Sequence, residues 1–161
     1  MAHWRESLQA AIALEPEHLS CYGLKIEEGT PLDRKKNTLR NPDDDEQAEE
    51  YLATVELLEK AGYAQYEISN FARPGRESRH NLKYWTMQEY LGFGPGAHSD
   101  FGGRRFAYAR DLNAYIKGEE HLSESACPAE REREEERVML ALRTARGLDL
   151  TALKEDTRDA E

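Results

Sequence analysis

The segment RHNLKYW, residues 79–85, sets an imidazole, an amide and two large aromatic side chains within six positions. His80 and Tyr84 stand four apart, as do Asn81 and Trp85, so on a helix each pair shares a face. An imidazole can ligate a metal, haem iron included, or exchange a proton near neutral pH. Aromatic rings beside it can cover a flat apolar ligand. Arg73, Arg76, Arg79 and Lys83 form the one dense basic patch of an acidic chain, and guanidinium groups suit carboxylates such as porphyrin propionates. A plainer reading uses the same residues: Tyr84 and Trp85 fill a core, and His80 caps or hydrogen-bonds backbone.

A second candidate is GFGPGAHS, 92–99. Gly92, Gly94 and Ala97 match G-x-G-x-x-A, but Pro95 and the polar HSDFGG that follows open no helix, so the dinucleotide reading fails. The glycines are expected to let backbone approach a ligand or another strand. His98 then stands at a strand exit, the end that carries sites in barrels. Lys25, Glu27 and Glu28 also follow a strand; adjacent carboxylates on an extended chain point apart and make no acid/base pair. Glu67 and Asn70, on the second strand and near its end, could each serve as a polar ligand group; the plainer alternative pairs Glu67 with a basic loop residue. Cys21 and Cys127 have no Cys or His neighbour at metal spacing.

The elements that position these residues follow from periodicity. Residues 3–15 predict a helix with Trp4, Leu8, Ala11 and Ile12 on one face, stopped by Pro16. HLSCYGLKI, 18–26, predicts a strand covered on both faces. Asn41 as cap and Pro42 in the first turn predict a helix whose stripe is Ala48, Tyr51, Leu52, Val55 and Leu58. YAQYEISNFA, 63–72, predicts a single second strand, so that strand, helix and strand form a βαβ unit. Residues 89–102 predict a third strand with a tight exit. Residues 110–118 predict a short helix with Leu112, Tyr115 and Ile116 facing in. A last helix runs from Pro128 to about Arg146, with Val138, Met139 and Leu142 as its stripe. Residues 154–161 are expected to fray.

The chain has 161 residues and a formal charge of −10. That length can bury a sizeable core. The charge disfavours nucleic acid and anionic membranes as partners. No window approaches a membrane span, and the first residues lack a basic region followed by an apolar core, so no signal peptide is expected in them. Two cysteines make no disulfide framework, so a reduced, cytoplasmic setting is expected.

Three stretches, HLSCYGLKIEEGTPL, YEISNFARPGRESRHNLKYW and YLGFGPGAHS, occur in this order. Together they resemble the HemW family of oxygen-independent coproporphyrinogen III oxidase-like radical SAM proteins, over roughly residues 3–153. HNLKYW matches the H-N-x-x-Y-W pattern that separates HemW from true coproporphyrinogen dehydrogenases and is associated with haem. The resemblance implies haem-binding roles for His80, Asn81, Tyr84 and Trp85, with His80 as candidate axial ligand. It implies positions near SAM for Lys25, Ala97 and His98. The implied fold is mixed α/β: the C-terminal portion of a partial (β/α)6 radical SAM barrel over 1–109, then the start of a helical C-terminal region over 110–161.

The sequence departs from the family pattern in lacking the C-x-x-x-C-x-x-C loop and the G-G-G-T-P segment. The resemblance therefore implies the C-terminal part of a longer protein, with SAM and a [4Fe–4S] cluster belonging to that parent. Three functions follow as alternatives. The parent is a haem-binding chaperone that passes haem to a client protein, these residues alone being catalytically inert. Or it is an anaerobic coproporphyrinogen III oxidase, with propionates held by the arginine cluster. Or this α/β piece binds no ligand of its own. An open barrel edge would favour self-association.

Overall fold

The computed structural model describes residues 2–152; the predicted fraying of 154–161 lies outside the described residues. The chain divides into two compact units, Met1–Glu77 and Ser78–Glu161.

In the first unit, α1 (Ala2–Ala13) packs on α2 (Asp44–Lys60), and α2 on the sheet. The sheet order is β1 (His18–Ser20), β3 (Asn70–Ala72), β2 (Ala64–Glu67), with β3 antiparallel to both neighbours. Leu58, Tyr63 and Phe71 form the buried core, and Ile12, Leu19, Cys21 and Val55 pack against it. The predicted face of α1 is present: Leu8 is buried, and the half-buried Trp4 donates Nε1–H to Thr54 Oγ1 at 2.7 Å.

Several boundaries differ from expectation for local reasons. The strand at 18–26 ends at Ser20, because β3 runs alongside only that far; Cys21 adds one hydrogen bond to Ser69 O at 2.8 Å. Tyr22 and Leu24 are consequently exposed rather than covered. The stretch 63–72 is a hairpin, so β1 and β2 are not neighbours and β3 replaces the expected direct βαβ pairing. Glu67 closes the reversal. Its buried carboxylate accepts from Ser69 N at 3.0 Å and from the Asn70 amide, in place of a basic loop residue.

The α2 helix begins at Asp43 rather than Asn41. The Asp43 carboxylate accepts from Glu46 N at 2.9 Å and Glu46 reaches back to Asp43 N at 3.3 Å, a reciprocal cap. That start places Ala53, Thr54 and Leu58 inside, whereas Leu52, read from the sequence as core, is 66% exposed. Asp43→Ala is expected to cost about 1 kcal/mol, read as a lower urea midpoint; an unchanged midpoint would show that the cap contributes nothing.

The second unit carries α3 (Arg79–Trp85), the antiparallel sheet β4 (His98–Phe101), β5 (Arg104–Tyr108) and β6 (Leu122–Ala126), and the helices α4 (Leu112–Lys117) and α5 (Glu130–Ala141). The expected third strand at 89–102 is a bridge at Tyr90, a glycine-rich loop and β4. Gly102 and Gly103, with φ of 60° and 76°, then turn the chain directly into β5. Two successive positive φ values are what a two-residue hairpin turn of type I′ requires. Gly92 answers the question of what the glycines admit: a Cβ there would stand 2.3 Å from His98 O, so the close approach is to a neighbouring strand.

The apolar residues expected inside α4 point outward, with Ile116 at 71% exposure. On α5 only Val138 of the predicted stripe is half-buried; Leu142 is 69% exposed. The inward side of α5 is charged instead. Asp100, 8% exposed on β4, accepts from Arg105 Nε at 2.9 Å and from both Arg133 terminal nitrogens at 3.0 and 2.8 Å, while Arg105 also donates to Glu136. The Arg133 guanidinium, with Arg105 beside it, holds the Asp100 carboxyl below the usual carboxylate range against the opposing effect of burial.

Candidate functional site

The chemistry-bearing segment RHNLKYW is a seven-residue helix. Ser78 caps α3, its hydroxyl accepting from Asn81 N at 3.3 Å. The helical spacing joins His80 and Tyr84 as expected. The Tyr84 hydroxyl lies 2.8 Å from His80 Nε2, and the two rings stand edge to face at 5.0 Å and 87°. Tyr84 in turn meets Tyr90 edge to face at 4.7 Å and 84°. Burial pushes the Tyr90 phenol up, with Tyr84 adding to the effect.

His80 and Tyr84 are exposed, and Asn81 and Trp85 are half-buried. The plainer reading of these residues, core aromatics with a backbone-bonded histidine, therefore does not describe His80 and Tyr84. A second pair in the first unit shows what the contrast means. His18 Nε2 lies 2.8 Å from the Tyr66 hydroxyl, but there the tyrosine is buried and the pair ties β1 to β2. The same bond is structural in one place and presented to solvent in the other.

The basic residues separate. Arg79 and Lys83, four apart on α3, are exposed and flank the His80–Tyr84 pair in sequence. Arg73 and Arg76 lie in the first unit with partners there: the Arg73 guanidinium sits 5.4 Å over the Tyr63 ring, and Arg76 pairs with Glu17 at 3.2 Å. Lys25, also in the first unit, is exposed and pairs with Glu27 at 3.2 Å. Ala97 and His98 are adjacent in the second unit. Ala97 accepts from Tyr108 N at 3.0 Å through its carbonyl, and the exposed His98 opens β4.

Sequence reasoning did not find a recess of about 530 Å3 in the first unit, lined in part by Trp4, Cys21, Tyr22, Arg40, Tyr51 and Ile68. Its walls come from α1, α2, the segment after β1 and the β2–β3 turn, which no local pattern connects.

The donor set on α3 fits haem as a ligand. It offers an exposed imidazole whose Nε2 is engaged by a phenol and whose Nδ1 has no partner among the described residues, with aromatic rings and two cations on the same helix. A metal-ligating histidine commonly has its other nitrogen satisfied in this way. An iron–sulfur cluster is not fitted: Cys21 and Cys127 are the only cysteines, and they lie in different units. Among the described residues no group of three or more His, Cys, Asp or Glu could hold a metal ion, and no helix is long and apolar enough to cross a membrane.

No protein-family model matches the chain. In fold, the structure matches the coproporphyrinogen III oxidase HemN from Escherichia coli, a radical SAM enzyme, with a TM-score of 0.64 at 15% identity, over 88% of this chain and 36% of that one. The architecture is thus a mixed α/β fold shared with part of that enzyme, with two open sheets and no closed barrel among the described residues. In sequence, the heme chaperone HemW of Synechocystis is 38% identical over 155 residues, 91% of this chain and 38% of its own length. HemW of Bacillus subtilis is 37% identical over 92% of this chain and 41% of its own length. The mitochondrial radical S-adenosyl methionine domain-containing protein 1 of the mouse is 46% identical over 100 residues, 61% of this chain and 23% of its own. The chain belongs to the HemW-like radical SAM family, and it spans about two fifths of the length of the two HemW relatives.

Proposed function

We propose that α3 is a haem-binding element and that the whole protein handles haem as cargo, as the name of its HemW relatives describes. The observation that carries this reading is the exposed His80 imidazole, fixed at one nitrogen by Tyr84 and open at the other. His80 would face the iron through Nδ1. The Tyr84 oxygen would accept a hydrogen bond from Nε2–H, which sets the tautomer and keeps the Nδ1 lone pair free. Tyr84 and Trp85 would offer apolar surface to the macrocycle, and Asn81 a polar contact at its edge. Arg79 and Lys83, on the same helix, would serve the propionates. Saturable binding of haemin, weakened in His80→Ala, tests the reading.

Lys25, Ala97 and His98 would lie near SAM in the whole protein, a reading supported only by the resemblance of the stretches that carry them. SAM, bound to a [4Fe–4S] cluster, is the source of radical chemistry in such proteins. The 161 residues alone are expected to be inert in that respect, since cluster binding takes more thiolates than Cys21 and Cys127 supply. After reconstitution with iron and sulfide, added SAM should give no 5′-deoxyadenosine; its appearance would overturn this assignment. The reading also includes a client protein that receives haem, a reduced cytosolic setting, and self-association through open strand edges, of which β6 is exposed along its whole length.

A further inference from the structure

Tyr90 lies five residues beyond α3 and belongs to none of the roles above. The Met87 residue that follows the helix has a φ of 53°, and the chain reverses there. Tyr90 then bridges to β4: its N–H donates to Asp100 O at 2.9 Å, and Asp100 N–H donates to Tyr90 O at 3.0 Å. The Asp100 side chain is held by Arg105 and by both terminal nitrogens of Arg133. The backbone of Tyr90 is therefore tied to a residue whose side chain is held by two guanidinium groups, while its ring meets Tyr84.

We infer that Tyr90 is a positioning residue for His80, acting through Tyr84. This rests on the reading of His80 as the haem ligand. A seven-residue helix is too short to order its own exposed side chains, and two or more rotamers of His80 and Tyr84 would otherwise compete. The edge-to-face contact at 4.7 Å restricts the Tyr84 ring, and the bond at 2.8 Å passes that restriction to the imidazole. The order that a ligand would have to impose is already present before it arrives. The hydroxyl of Tyr90 has no part in this; the ring does.

The test compares Tyr90→Leu with Tyr90→Phe in the 161-residue chain. Two readouts are needed: the aromatic proton and imidazole nitrogen resonances of Tyr84 and His80 without ligand, and haemin affinity from the Soret band. Tyr90→Leu should move the Tyr84 and His80 resonances and weaken haemin binding roughly threefold to tenfold, the size of one edge-to-face pair. Tyr90→Phe should keep both near the unmutated chain. Unmoved resonances with unchanged affinity in Tyr90→Leu would overturn the inference even if His80→Ala abolishes binding. If His80→Ala leaves binding intact, the haem reading fails, and the ligand-free resonances still decide whether Tyr90 positions His80. Should Tyr90→Leu fail to fold, nuclear Overhauser contacts between the Tyr84 and Tyr90 rings of the unmutated chain decide; their absence would overturn the stack.

Discussion

His80→Ala is expected to weaken haemin binding by at least about tenfold, or about 1.4 kcal/mol, and to shift the Soret band toward that of haemin with no nitrogen ligand. The reason is the separation of roles on α3. Ring contacts and cations can retain part of a flat, anionic ligand, but only His80 offers an imidazole on this helix. His80 is exposed and its side chain bonds to Tyr84, so its removal is expected to open no cavity and leave the fold intact. A change in affinity therefore reports ligation rather than stability. His18→Ala is the control, because that imidazole is spent on the buried Tyr66. Equal losses in both variants would point to haemin binding by histidine in general rather than at this helix.

Asp100→Asn is expected to destabilise the second unit by roughly 3 kcal/mol, the low end for breaking a buried ion pair by removing one partner. Asp100 accepts three hydrogen bonds from two guanidinium groups, and neutralising it leaves Arg133 without its ion-pair partner on β4. Arg105 keeps Glu136, which is why the low end applies. In a Trp4→Phe background the fluorescence of Trp85 follows the second unit alone, since these are the only two tryptophans. The same carboxylate sets an acid limit. Its folded pKa lies below its ordinary value, so its contribution is complete above the unfolded pKa near 3.9 and is lost as pH falls through the lower folded value. Acid titration of unmutated protein should show stability steady down to about pH 4 from this group and falling below, and Asp100→Asn should lack that component. An unmutated curve that matches the variant's would mean that the network contributes no net stability.

What could be read from the sequence, and what could not, follows the range of each interaction. The His80–Tyr84 pair was legible because helical spacing alone brings residues four apart together. The face of α1 was legible for the same reason. The hairpin at 64–72 was not, since its turn residues, Ile68 and Ser69, carry no glycine or asparagine and the closing bond comes from the Glu67 side chain. Gly102–Gly103 did carry the signal of a two-residue turn, but the apolar GFGPG stretch before it suggested one continuous strand. On α5 the search for an apolar stripe chose Met139 and Leu142, while the helix presents Arg133 and Glu136 to Asp100 and Arg105. The links from α5 into that network join residues 31 and 33 positions apart, beyond any local pattern. Tyr90 escaped notice for the same reason: its partner Asp100 and its target Tyr84 meet only in the folded unit.

The most direct test of the haem reading is electron–nuclear double resonance on the ferric haemin complex of the chain grown with 15N-histidine. The account predicts a 15N coupling from an iron-bound imidazole that disappears in His80→Ala and persists in His18→Ala and His98→Ala. A saturated complex with no histidine nitrogen coupling, or one whose coupling survives the loss of His80, would contradict it.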